Sequence, residues 1–323
     1  MGLWSPLMTK FFFIILCSLS VVSLYSQGCS DAGFCTMGAM RPDQAYSKRI
    51  DFKLRSIEYN FYRGKTTTTA VIFAHTVEFN ASLGERNSLQ LKIPYMLISG
   101  NLGHNQGIGD ISLSVTRSLK QTRNYNISGT IGTKIPTNKS DDTFSNEFTN
   151  FSEVHLPMYY QTSLGTYDGI AGIAYIDRKW LLATGVQVAL SHNSNQFTWN
   201  DWRFYPDRSY LEKHNVGRNL RRGTDVMFRV ERNFRFTNYN FSLGALPIYR
   251  IHPDEVNLPG IEERVRLNKT TGLAFSALAS FGYQFTVNNG IKLIYGYKLT
   301  DRKRNPDGLT RDNVLSFSYI YRF

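Results

Sequence analysis

After residue 22 the chain has no uninterrupted apolar stretch of the about 18 residues that a membrane helix needs, so helical spans are excluded as its architecture. Cysteine is nearly absent as well. Of the three, Cys17 lies in the leading apolar run, which leaves Cys29 and Cys35. No local histidine or third cysteine completes a coordination set, so in an exported chain this close pair reads as a small disulfide loop, with a lipid anchor on Cys29 as the rival. The histidines are scattered without metal spacing, and neither metal nor cofactor is expected. Acidic residues are outnumbered, 25 against 37 Lys and Arg, for a net charge of +12. The cations are spread along the chain and match no nucleic-acid module, so no nucleic-acid partner is expected.

What is present is alternation. Hydrophobic residues make up 42% and aromatics 14%, yet mean hydropathy is negative, as interleaved apolar and polar residues require. The carboxyl-terminal stretch is the clearest case: Leu315, Phe317, Tyr319, Tyr321 and Phe323 alternate with Ser316, Ser318, Ile320 and Arg322, giving one aromatic face. That run resembles the closing strand of bacterial outer-membrane β-barrels.

Earlier segments repeat the pattern, and the alternation predicts about twelve strands, an even number that brings both ends to one side. Near Arg55 and Ser56 the phase slips, as at a bulge. Counted back from the end, nine connections alternate long and short, from residues 301–310 (long) to residues 100–108 (long), as the outer loops and inner turns of a membrane barrel do. Lys10 and the apolar run that follows, turning small and polar at residues 23–27, read as a secretory signal. The expectation is therefore an all-β chain: a signal peptide at residues 1–26, a short plug or tether at 27–50, and a transmembrane antiparallel β-barrel at 51–323, in the bacterial outer membrane.

The two faces then take roles. Apolar rows face lipid, with Trp180, Tyr95, Tyr249 and Tyr321 as interface aromatics. The opposite rows place Glu78, Lys92, Lys120, Lys134, Arg229, Glu231, Arg235, Lys292 and Lys298 in a mostly basic lumen. Arg203, Arg208, Lys213, Arg218, Arg221 and Arg222 share one long loop, read as a contact for anionic lipopolysaccharide or a funnel for anionic solutes. Expected partners are outer-membrane lipid and lipopolysaccharide, a small-molecule solute, and the barrel assembly machinery acting on the last strand. Pro94, between Ile93 and Tyr95, removes a ladder hydrogen bond and marks a kink, a side opening or a strand end.

Three short stretches, Gly107–Ile111, Gly132–Thr137 and Tyr160–Thr166, resemble the outer-membrane transporters of the long-chain fatty-acid transporter type, especially the branch called phenol meta-pathway degradation proteins. The resemblance implies that an amino-terminal segment, here Cys29 to Pro42, plugs the lumen and that hydrophobic small molecules pass through. The family's long-chain members have more strands than are counted here. A competing pattern is the run His192, Asn193, Ser194, Asn195, which resembles the site of outer-membrane phospholipase A and lipid A deacylases, where a His activates a Ser against a lipid ester. Those families carry an Asn or Glu about a dozen residues beyond the Ser, and that spacing gives Pro206 here, with Asp201 or Asp207 as substitutes. The favoured expectation is a channel without chemistry of its own.

Overall fold

The computed structural model describes residue 37 and residues 53–66, 69–212, 217–258, 261 and 263–323. The expected signal peptide, the Cys29 and Cys35 pair, and the plug segment apart from Met37 lie outside the described residues.

Twelve strands form the wall: β1 (Lys53–Thr66), β2 (Val71–Leu83), β3 (Asn87–Gly100), β4 (Ile111–Gln121), β5 (Tyr125–Ile135), β6 (Asp168–Asp177), β7 (Trp180–Ala189), β8 (Asp225–Arg235), β9 (Tyr239–Arg250), β10 (Gly272–Gln284), β11 (Asn289–Thr300) and β12 (Arg311–Arg322). Each lies antiparallel to the next, and β12 returns to β1, where Ile57 faces Tyr321 and Arg63 faces Leu315. The closed ladder leaves no free strand edge in the wall. Strands of 10 to 14 residues suit the about 9–11 that a tilted strand needs to cross the hydrocarbon layer. Among the described residues no helix is long and apolar enough to cross a membrane.

Alternation sorts the side chains as the sequence requires. On β12, Leu315, Phe317, Tyr319 and Tyr321 are 39–42% exposed, while Ser316, Ser318 and Ile320 are buried inside. Trp180, Tyr95 and Tyr249 also face outward. A charge on this outer face should destabilise the barrel: Phe317→Arg, near the middle of β12, is expected to cost about 2–4 kcal/mol, read as a lowered denaturant midpoint for refolding into lipid.

The phase slip near Arg55 is a register shift between Leu54 and Ser56 against β2. A second shift, between Ser118 and Lys120 against β5, is invisible in the alternation and overturns one expectation. It turns Lys120 out of the lumen row; Lys120 is exposed, its Nζ 5.9 Å from the centre of the Tyr125 ring. Arg235 is exposed too, because β8 ends there and nothing beyond it encloses the side chain. Residues 100–108 are likewise not a loop. β3 turns at residues 101–102 and pairs with a short strand, Gly103–Ile108, so that Gly100 faces Gly103 and Tyr95 faces Ile108. Pro94 sits where β3 changes partner from β4 to this strand, and its carbonyl accepts from Gly109 N at 2.8 Å.

Candidate functional site

The lumen is charged, and several of its charges are paired. Glu78, Lys92, Lys134, Arg229, Glu231, Lys292 and Lys298 are each at most 9% exposed inside the barrel. Lys92 Nζ lies 3.1 Å from Glu78 Oε2, and Gln90 donates to the other Glu78 oxygen at 2.5 Å. Arg229 Nε donates to Glu231 Oε1 at 2.6 Å, and Lys298 Nζ lies 3.3 Å from Asp301 and 3.4 Å from Asp312. Burial in a low-dielectric interior makes each pair costly to break from one side.

The long loops close the opposite end from the short turns. Residues 136–167, 190–212, 217–224 and 301–310 fold back over the barrel mouth and join it in one apolar core that includes Leu156, Tyr159, Tyr160, Phe197, Trp202 and Leu309 with Tyr62 and Ile72 of the wall. Trp202 Nε1 donates to the His155 carbonyl at 3.1 Å, and Leu102 N donates to Tyr160 Oη at 3.0 Å. Burial pushes the Tyr159 and Tyr160 phenols up from their ordinary range, so both stay neutral.

An ionic cluster ties the start of the remaining loop, residues 251–258, to this cap. Arg250, fully buried, donates to both oxygens of Asp225 at 2.8 and 2.7 Å and to both of Asp254 at 2.7 and 2.9 Å. Arg302 adds a 3.3 Å contact to Asp225. Burial raises the Asp254 carboxyl above its ordinary range, with Arg250 opposing it. Arg222 belongs to the same interior: it pairs with Asp168, which also accepts from Gln187 at 2.6 Å. The reading of Arg222 as part of a surface funnel is corrected accordingly, because a buried carboxylate draws it inward. Arg208 stays outside, over the Trp199 ring and 2.8 Å from Glu212, and Arg218 donates to Gln196 at 2.7 Å.

The three glycine-based stretches meet at one point, Asp110. Ser163 Oγ donates to it at 2.6 Å and Leu164 N at 3.1 Å, while Thr137 Oγ1 donates to the Gly109 carbonyl at 2.6 Å. The glycines are there for space: a Cβ on Gly109 would stand 2.7 Å from Met96 Sδ. Gly165 also sits at φ +66°, where only glycine is unstrained. Burial raises the Asp110 carboxyl, and the charge on Lys134 pulls it back down. Asp110, Lys134, Thr162 and Leu164 line a cavity of about 120 Å³ just beneath the cap, with Lys92, Tyr62, Ile72 and Arg311 on its other walls.

The His192–Asn195 run is built differently from a hydrolytic site. His192 and Ser194 are both exposed, and Ser194 Oγ bonds to Ser140 Oγ at 3.1 Å. Asn195 is fully buried, donating to the Ser140 and Leu156 carbonyls at 3.0 and 2.9 Å, so it staples two loops together. Sequence reasoning missed Asp168, Asp225, Arg250, Asp254 and Arg302. All but Asp254 and Arg302 are strand-end residues of inward parity, a signal that could have found them. The single described residue of the 27–50 stretch, Met37, is 1% exposed inside the barrel, packed with Ile170, Leu181, Met227 and Leu246.

A closed twelve-strand barrel, apolar outside, charged within and roofed by its long loops, is a barrel of the bacterial outer membrane. No family model matches the chain and no curated protein matches it. Solved structures do. An outer membrane channel from Pseudomonas putida F1 is similar over 87% of this chain and 99% of its own, at 12% identity and a TM-score of 0.57. The NanC porin aligns over 84% and 99%, at 8% identity and a TM-score of 0.43. The outer membrane phospholipase A from Escherichia coli aligns over 84% and 98%, at 8% identity and a TM-score of 0.39.

Proposed function

We propose that the protein is an outer-membrane channel that lets small molecules diffuse through its lumen and carries out no chemistry of its own. One observation carries this reading: a charged and polar lumen, inside a closed barrel, contains a cavity of about 120 Å³ beneath its cap. The shared fold with a protein described as an outer membrane channel supports it. Residues 27–50 act as the plug in this reading, and the burial of Met37 among wall residues supports that role. Its partners are the solute, the lipid and lipopolysaccharide around the outer face, and the assembly machinery that receives β12.

Lipid-ester hydrolysis at His192 and Ser194 is the less favoured alternative, since Ser194 is engaged by Ser140 and Asn195 by backbone carbonyls. Proteoliposomes containing the purified protein should swell in isotonic solutions of small solutes, and Ser194→Ala should swell at the same rate. Absence of swelling above protein-free vesicles would count against the channel. Release of fatty acid by the unaltered protein, lost in Ser194→Ala, would establish the enzyme instead.

A further inference from the structure

The cavity beneath the cap contains a cation to which no carboxylate among the described residues is paired. Lys92 faces Glu78 at 3.1 Å, and Asp110 lies within the field of Lys134. Arg311, only 5% exposed, also lines the cavity, and among the described residues no carboxylate pairs with it. Its Nη1 donates to the Leu309 carbonyl at 2.5 Å, while its buried Nε has no hydrogen-bond partner. A guanidinium held out of water with an open donor is unfavourable unless something fills that position. The fold nevertheless goes out of its way to place it there. By alternation with Leu315 and Phe317, Arg311 belongs to the lipid-facing row, but a register shift against β1, where Lys65 faces Asn313 and Thr66 faces Arg311, leaves Asp312 as an extra residue on β12 and brings Arg311 inside. Gly64 leaves it room, since a Cβ there would stand 2.9 Å from Arg311 Cδ.

Beside its polar and charged groups the cavity wall carries apolar side chains, among them Tyr62, Ile72, Ala74 and Leu309. We propose that this cavity is a binding site for a small amphipathic carboxylate, its anionic oxygens on Arg311 and its hydrocarbon part against those four side chains. The volume of about 120 Å³ is close to that of the roughly 150 Å³ apolar cavity known to hold benzene, so one ring with one carboxylate is the scale of the ligand. The inference rests on the channel reading and names the class of solute that pauses in the lumen.

Equilibrium dialysis of the full-length protein in detergent, with benzoate, benzyl alcohol and acetate as probes, tests it. Benzoate should bind at least about tenfold tighter than either, the factor expected of a charge-assisted hydrogen bond. Arg311→Gln should abolish the preference for benzoate over benzyl alcohol, and Arg311→Lys should restore part of it. Ala74→Leu, which fills the cavity from β2 and leaves the arginine in place, should weaken benzoate and benzyl alcohol together. Equal binding of benzoate and benzyl alcohol, or a preference that survives in Arg311→Gln, overturns the site. Acetate binding as tightly as benzoate overturns the amphipathic ligand. Swelling of proteoliposomes in benzoate is read separately: if it persists while the preference is absent, the site falls and the channel stands, and if swelling fails with every solute, the channel itself falls.

Discussion

Arg250→Met should unfasten the cap. The substitution keeps the volume of the side-chain stem but leaves Asp225 and Asp254 buried without the guanidinium that both grip. Removing one partner of a buried ionic group costs about 3–5 kcal/mol, far more than a surface pair is worth. Arg302 still neutralises part of Asp225 at 3.3 Å, so the uncompensated charge falls mainly on Asp254, at the base of the loop at residues 251–271. That loop should lift, and trypsin should then cut faster at Arg264 and Arg266, while conductance across a planar bilayer should rise. The double variant Arg250→Met with Asp254→Asn removes the stranded charge and should recover much of the protection. If digestion and conductance of the single variant match those of the unaltered protein, the cluster does not hold the cap shut.

Met37→Asp should have an effect of similar size at the other apolar cluster. Met37 is 1% exposed among Ile170, Ala174, Leu181, Ala183, Met227, Leu246 and Ile248, a site with no hydration to offer a carboxylate. The residue should leave the lumen, and single-channel conductance should rise several-fold. Met37→Leu keeps the volume and the apolar character and should conduct like the unaltered protein. Equal conductance of the Asp and Leu variants would show that this residue does not obstruct the path.

The wall was legible because each strand of a barrel carries its own instruction. Phe317 and Ser318 point to lipid and lumen for local reasons, and twelve such segments, joined alternately by long and short connections, left few other arrangements. Even the bulge at Arg55 announced itself, because the aromatic residues around it change phase. The bulge at Ser118 did not, since Ser118, Leu119 and Lys120 are compatible with either face, and Lys120 was assigned to the wrong side. Gly103–Ile108 read as loop because its glycines and polar residues hide a strand that continues above the wall.

The site was less legible, for a different reason. The motif stretches around Gly109, Gly132 and Ser163 stood out singly, but nothing local says that they converge on Asp110. The partners of Arg250 and Arg222 lie in other strands or in loops, and Arg311 enters the lumen through a bulge at Asp312 that only the pairing with β1 reveals. Such placements depend on contacts made across the whole chain, and alternation within one segment contains no record of them.

The seam between β1 and β12 sets a condition on assembly. The edge of β1 that faces away from β2 finds its partner only at residues 311–322, so neither margin of the sheet is satisfied until those residues join it. Folding should therefore be slow and governed by its longest-range pairing. A truncation that removes β12 should leave two unmated strands, prone to joining other copies, rather than a smaller pore.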